Sequence, residues 1–275
     1  MPLVCDPAPM SVRRSSVCCP RCSSTRRTIR GRISCHVSDA LLYAMIAALA
    51  NVGGALVFSR GATRGVLVIE HSVAFGAGFM LAVAITEILP EAFVRSGSAA
   101  PALVLAGYLA VHLTQHTVTP HFHFGEETHV VKPMAGTSAL VGLLLHTFFD
   151  GVAIASAVLV GPVLGTMVFF AILFHKLPEG LTIASLMMAA GRSARAAVAS
   201  AALLGVATVA GVLLTDQVET LVRHGLALSA GVTIYVAASN LVPEFQGKKG
   251  WKLPAAFFAG AMMSFLVRLV LERPW

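Results

Sequence analysis

Charge is scarce in this chain. Asp, Glu, Lys and Arg make up 12% of 275 residues against 56% hydrophobic types, and the mean hydropathy is +0.80. Soluble domains carry roughly 25% charged residues, so an ordinary water-soluble fold is excluded. Cysteine is absent beyond position 36: Cys5, Cys18, Cys19, Cys22 and Cys35 all lie in the N-terminal stretch, so disulfides do not hold the body together. No GxxxxGK[ST] phosphate loop is present, which removes an ATP motor, and no HExxH, which removes the usual zinc-hydrolase signature. The basic excess is local as well. Residues 1–36 hold seven arginines against Asp6 alone, and the remaining chain has thirteen basic and twelve acidic residues. A nucleic-acid-binding body is therefore not indicated.

What is present is apolar sequence in spanning lengths. A spanning helix needs about 20 mostly apolar residues, and eight stretches meet that: 38–58, 66–92, 100–119, 136–159, 162–189, 196–215, 224–243 and 253–271. The expected fold is an all-α polytopic membrane protein of eight transmembrane helices. Residues 1–37 form a disordered, basic, Cys-rich tail, and 38–271 the membrane domain. The tail lacks the apolar core of a secretory signal. It reads as an extension, consistent with a start placed upstream of the natural one; Cys19 and Cys22 with Cys35 and His36 offer a weaker reading as a zinc knuckle. Arg60, Arg64, Lys132, Arg192, Arg195, Lys248, Lys249 and Lys252 fall in or beside the odd-numbered loops, and only Arg95 and Arg223 in the even ones. The positive-inside rule places the odd loops in the cytoplasm, in a multi-pass protein of the plasma or inner membrane.

Two internal repeats cut across these spans. Shifted by 29 residues, Gly151, Ile154, Ala155 and Ser156 fall on Gly180, Ile183, Ala184 and Ser185. Shifted by 153, AGFMLAVAITEILPE (77–91) falls on AGVTIYVAASNLVPE (230–244). With the topology above, both repeats are inverted, a mark of secondary transporters with a site near the midplane.

The first repeat carries the polar groups. His146 and Asp150 in span four, and His175 and Glu179 in span five, each stand four residues apart. That spacing puts an imidazole and a carboxylate on one helix face. Antiparallel, the two helices would bring two nitrogens and two carboxylates to one point. An acid at mid-bilayer costs about 2.5–3.5 kcal/mol on insertion scales, so a compensating cation is expected; imidazole plus carboxylate suits Zn, Fe or Mn. A proton relay is the rival use of such groups. Pro178 should push the Phe174 carbonyl aside and turn that oxygen toward the site.

HTFFDG (146–151) and HKLPEG (175–180) resemble the paired signatures of the ZIP family of divalent-metal transporters, of bacterial type. Eight spans, a His-bearing loop after span three, and Pro-Glu pairs near the ends of spans two and seven also match. The resemblance implies that His146, Asp150, His175 and Glu179 hold the ion and that Met80 of span two joins them. It also exposes departures: Thr147 stands where Asn is common, and Lys176 where an acid would bridge to a second ion. One ion per site is expected, with the Lys176 ammonium in the second position. Glu87, Glu91, Asn240 and Glu244 are expected to guide the ion in and out. His121 and His123, with His112, His116 and His129, would meet it on the inner side, and Glu70 and His71 would line the exit.

The resemblance implies facilitated movement of a divalent ion into the cytoplasm, Zn2+ first and Fe2+ or Mn2+ as alternatives, through a partly solvated site whose ligands separate as helix groups rock. No cofactor, enzymatic activity or nucleic-acid partner is expected. The partners are the metal ion and the lipid bilayer, and a homodimer is compatible. The alternatives are a cation-efflux facilitator, which resembles six spans rather than eight, and an intramembrane metallohydrolase.

Overall fold

The computed structural model describes residues 29–61, 66–117 and 133–272, and no strand occurs among them. The elements are α1 (Ile29–Ser59), α2 (Val66–Val83), α3 (Leu89–Ser96), α4 (Ala100–Thr117), α5 (Pro133–Val160), α6 (Pro162–Ala189), α7 (Ala194–Gln217), α8 (Glu219–Tyr235), α9 (Pro243–Gln246) and α10 (Lys252–Leu271). Seven of the described helices are long and apolar enough to cross a membrane. The expectation of eight differs at Glu70–Thr117, which is one helical stretch of 48 residues. A short 3-10 turn beginning at Gly97, with φ of 54°, interrupts it, a conformation that favours glycine. Helix α1 begins at Ile29, ahead of the expected entry at 38 and inside the stretch read as a disordered tail. Extending a nucleated helix costs little. Cys5, Cys18, Cys19 and Cys22 lie outside the described residues, as do the side chains of Cys35 and His36, and with them the zinc-knuckle reading.

Two π-helical turns stand at positions that the 153-residue repeat equates. Ala84–Ile88 separates α2 from α3, and Val236–Leu241 separates α8 from α9. The cause is the proline that follows each. Pro90 and Pro243 cannot donate to the carbonyls four residues back. The residue before each proline reaches one further instead: Leu89 N–H donates to the Ala84 carbonyl, and Val242 N–H to that of Ala237 at 3.1 Å. Pro178, in contrast, is accommodated inside a continuous α6. The Phe174 carbonyl lies against Gly76 of α2, so the glycine of a neighbouring helix covers the oxygen expected to face the site.

Glycines set how closely the helices approach, and they work in reciprocal pairs. A Cβ on Gly54 or Gly180 would fall on the backbone carbonyl of Leu177 or Asn51, where α1 crosses α6. Gly78 and Gly260 do the same for α2 and α10, against Phe257 and Phe75. Gly107 and Gly231 join α4 to α8, against Leu228 and Val104, and Gly151 and Gly211 join α5 to α7, against Thr208 and Phe148. Small residues that let backbones touch are the main adhesive between helices in lipid. Gly78→Ala is expected to cost about 1–3 kcal/mol, as overpacking does. Thermal unfolding in detergent checks this, and an unchanged midpoint would show that α2 and α10 do not rely on the contact.

The paired helices assemble into two groups. Helices α1, α5, α6 and α7 pack on one another. Helix α10 packs on α2, which meets α8 at the π turns, and α8 packs on α4. The groups touch mainly where α5 meets α8 and α6 meets α2. The largest apolar core, including Met80, Ile154, Ala171, Ile172 and Ala230, spans both.

Candidate metal centre

Helices α5 and α6 bring the four expected side chains together. Ligand atoms of His146, Asp150, His175 and Glu179 all lie within 4.8 Å of one another. Their exposures are 3%, 2%, 3% and 8%, so the cage is closed to solvent here rather than partly solvated. Asp150 Oδ2 is 3.4 Å from His146 Nε2 and 3.3 Å from His175 Nε2. Glu179 Oε2 is 3.7 Å and 3.9 Å from the same two nitrogens. For bonds of about 2.1 Å, tetrahedral geometry sets ligand atoms roughly 3.4 Å apart. Four of the six edges are therefore already near the spacing that a small divalent ion requires.

The tautomer of His175 suits that use. Its Nδ1–H donates to the Ala171 carbonyl at 3.0 Å, which leaves the Nε2 lone pair directed into the cage. Fixing a ring through its other nitrogen is how proteins orient imidazole ligands. His146 Nδ1 has no such partner among the described residues.

Lys176 is fully buried in the same place. Its Nζ lies 2.7 Å from Asp150 Oδ2 and 2.8 Å from Glu179 Oε2, the two oxygens that edge the cage. It thus bridges both carboxylates as a second cation would. Two acids, one ammonium and two neutral imidazoles leave a net charge of −1, which a dication converts to +1. Thr147 is engaged elsewhere: its hydroxyl donates to the carbonyls of Leu143 at 2.9 Å and Leu144 at 3.1 Å within its own helix. Short hydroxyl side chains commonly bond back in this way.

Of the other expected acids and histidines that are described, none joins the four converging residues. Met80 is fully buried on α2 in the common core. Glu87, in the first π turn, is held by Arg268 Nη1 at 2.6 Å, and Glu91 by Arg95 Nε at 3.3 Å. Asn240 is half-buried in the second π turn. Glu70 pairs with Lys248 at 2.7 Å. The rings of His112 and His116 stack with centroids 4.0 Å apart. His121, His123 and His129 lie outside the described residues, as does the side chain of Glu244.

One contact was not anticipated. Asn51 of α1 donates from Nδ2 to Glu179 Oε1 at 3.3 Å and is fully buried. An isolated Asn in an apolar helix gives no periodic signal. The neighbouring Gly53-Gly54 pair marks a close crossing, but not which helix is crossed.

A bundle of apolar helices closed around a nitrogen–oxygen cage defines a multi-pass membrane protein that handles a divalent cation. A family model described as ZIP Zinc transporter matches residues 125–272, just over half of the sequence, and the chain belongs to that family. The family is one of divalent-metal transporters and not of enzymes. The matched part contains all four cage residues and Lys176 but neither Asn51 nor Met80. No curated protein matches the chain.

Proposed function

We propose that this protein carries Zn2+ into the cytoplasm, one ion at a time, through the cage between α5 and α6 near the bilayer midplane. The observation that carries the reading is the set of four cage edges between 3.3 and 3.9 Å, which favours a small tetrahedral ion; Fe2+ and Mn2+ are the next candidates. Lys176 takes the place of a second ion, and Met80 is proposed as an additional soft ligand from α2. We read eight crossings. The stretch Glu70–Thr117 would be about 72 Å long as one helix, more than twice the roughly 30 Å hydrocarbon core, so the break at Gly97 divides it into two.

The cage residues belong to helices already joined by glycine contacts, α5 to α7 and α6 to α1. Motion between the two helix groups would therefore carry these four residues as a unit and expose them to either side, separating them only from Met80 of α2. Glu87 and Glu91 would guide entry, and Asn240 and Glu244, with His121 and His123, would guide exit. A dication gains about 4.6 kcal/mol crossing 100 mV, so inward flow needs no ATP.

The test is Zn2+ entry into proteoliposomes containing the full chain, with the potential imposed by a potassium gradient. Uptake should rise as the lumen is made more negative. Uptake indifferent to potential and to the presence of protein would overturn the reading.

A further inference from the structure

Asn51 is the only fully buried carboxamide among the described residues, and the manner of its burial points to a role. It sits in α1 at the crossing with α6, where its backbone carbonyl receives Gly180. Its Nδ2–H donates to Glu179 Oε1 at 3.3 Å. Its other polar atom, Oδ1, has no hydrogen-bond partner among the described residues and lies 2.8 Å from where a Cβ on residue 180 would stand. A buried polar atom without a partner is costly. Packing alone at this crossing would be served as well by leucine or alanine. What the amide does in return is hold one oxygen of Glu179 away from the cage while the other, Oε2, faces His146, His175 and Lys176.

We propose that Asn51 is a positioning residue that keeps Glu179 to one-oxygen coordination and thereby sets the size of ion that the cage accepts. This rests on the metal-carrier reading above. A small ion is satisfied by four single-atom ligands. A larger ion such as Cd2+ gains from a carboxylate that turns both oxygens toward it, as larger cations commonly take carboxylates. Turning Oε1 inward breaks the hydrogen bond from Asn51, whose side chain is fully buried. The amide therefore penalises the larger ion and leaves the smaller one unaffected. The residue acts through Glu179 and needs no contact with the ion.

The experiment uses the purified full chain and Co2+, whose visible absorption is intense in tetrahedral sites and weak at higher coordination, together with Cd2+/Zn2+ competition at equilibrium. Asn51→Ala and Asn51→Leu both remove the donor; the second retains much of the volume if the first does not fold. Either is expected to weaken the Co2+ band and to raise the preference for Cd2+ over Zn2+ by about tenfold, within the 10–100-fold range typical of lost outer-shell partners. A folded variant with the wild-type band and the wild-type Cd2+/Zn2+ ratio overturns the role of Asn51 and leaves the carrier reading intact. A wild-type chain that binds no Co2+ overturns both.

Discussion

Lys176→Met is expected to give a protein much less stable than wild type, part of whose loss is restored when metal binds. The ammonium neutralises half of the acid charge in a deeply buried cage, 2.7 Å and 2.8 Å from the two oxygens concerned. Removing one partner of such a buried set costs about 3–5 kcal/mol, because the remaining charge has nothing to balance it. Zn2+ at a hundred times its dissociation constant would return about 2.7 kcal/mol by linkage. Thermal unfolding in detergent, with chelator and then with Zn2+, reads both terms. The variant should melt well below wild type in chelator and gain more from Zn2+ than wild type does. Equal melting in chelator would mean that Lys176 is not what the carboxylates lean on. Lys176→Asp tests the same assignment from the other side: bound zinc should rise from one ion per chain to two, counted by elemental analysis. A ratio that stays at one removes the support for an ammonium in the second position.

His175→Ala is expected to bring metal uptake down to the level of empty vesicles. The side chain supplies one of four cage atoms, and its ring is already oriented through Ala171 at 3.0 Å. Losing only an outer-shell partner typically costs 10–100-fold in affinity, and losing the ligand itself should cost more. Tyr43→Phe is the matching control. Its hydroxyl bonds to Thr166 at 3.1 Å outside the cage, so its removal should leave uptake near wild type. Uptake retained by His175→Ala would dismiss the cage as the path of the ion.

The cage was legible in the sequence because its signal is local. Four-residue spacing fixes which groups share a helix face, and the 29-residue repeat shows that two helices do it together. Helix existence was legible for the same reason, since uninterrupted apolar length needs no tertiary knowledge. The features that escaped depend on neighbours. Pro178 forecasts a displaced carbonyl at Phe174 but not that Gly76, about a hundred residues earlier, would cover it. Pro90 and Pro243 look like Pro178 in sequence. Yet the first two follow π turns and the third sits in an ordinary helix, and nothing in their immediate residues separates the cases. Thr147 stands out in sequence only as a departure from the family's usual Asn, and nothing local shows that its own helix claims the hydroxyl. Asn51 belongs to this group too: its meaning lies in a partner 128 positions away.

The resident ammonium also bears on the half of the cycle in which no cargo travels. A carrier that has delivered its ion must restore its starting conformation with the cage vacant. With Lys176 in place that cage holds a net −1; without it the figure would be −2. The self-energy of charge in a medium of low polarisability grows with its square, so the vacant form faces about a quarter of the penalty it would otherwise meet. If Lys176 takes the second position as proposed, it makes the unladen reset cheaper, and turnover limited by that reset would gain more from it than binding does.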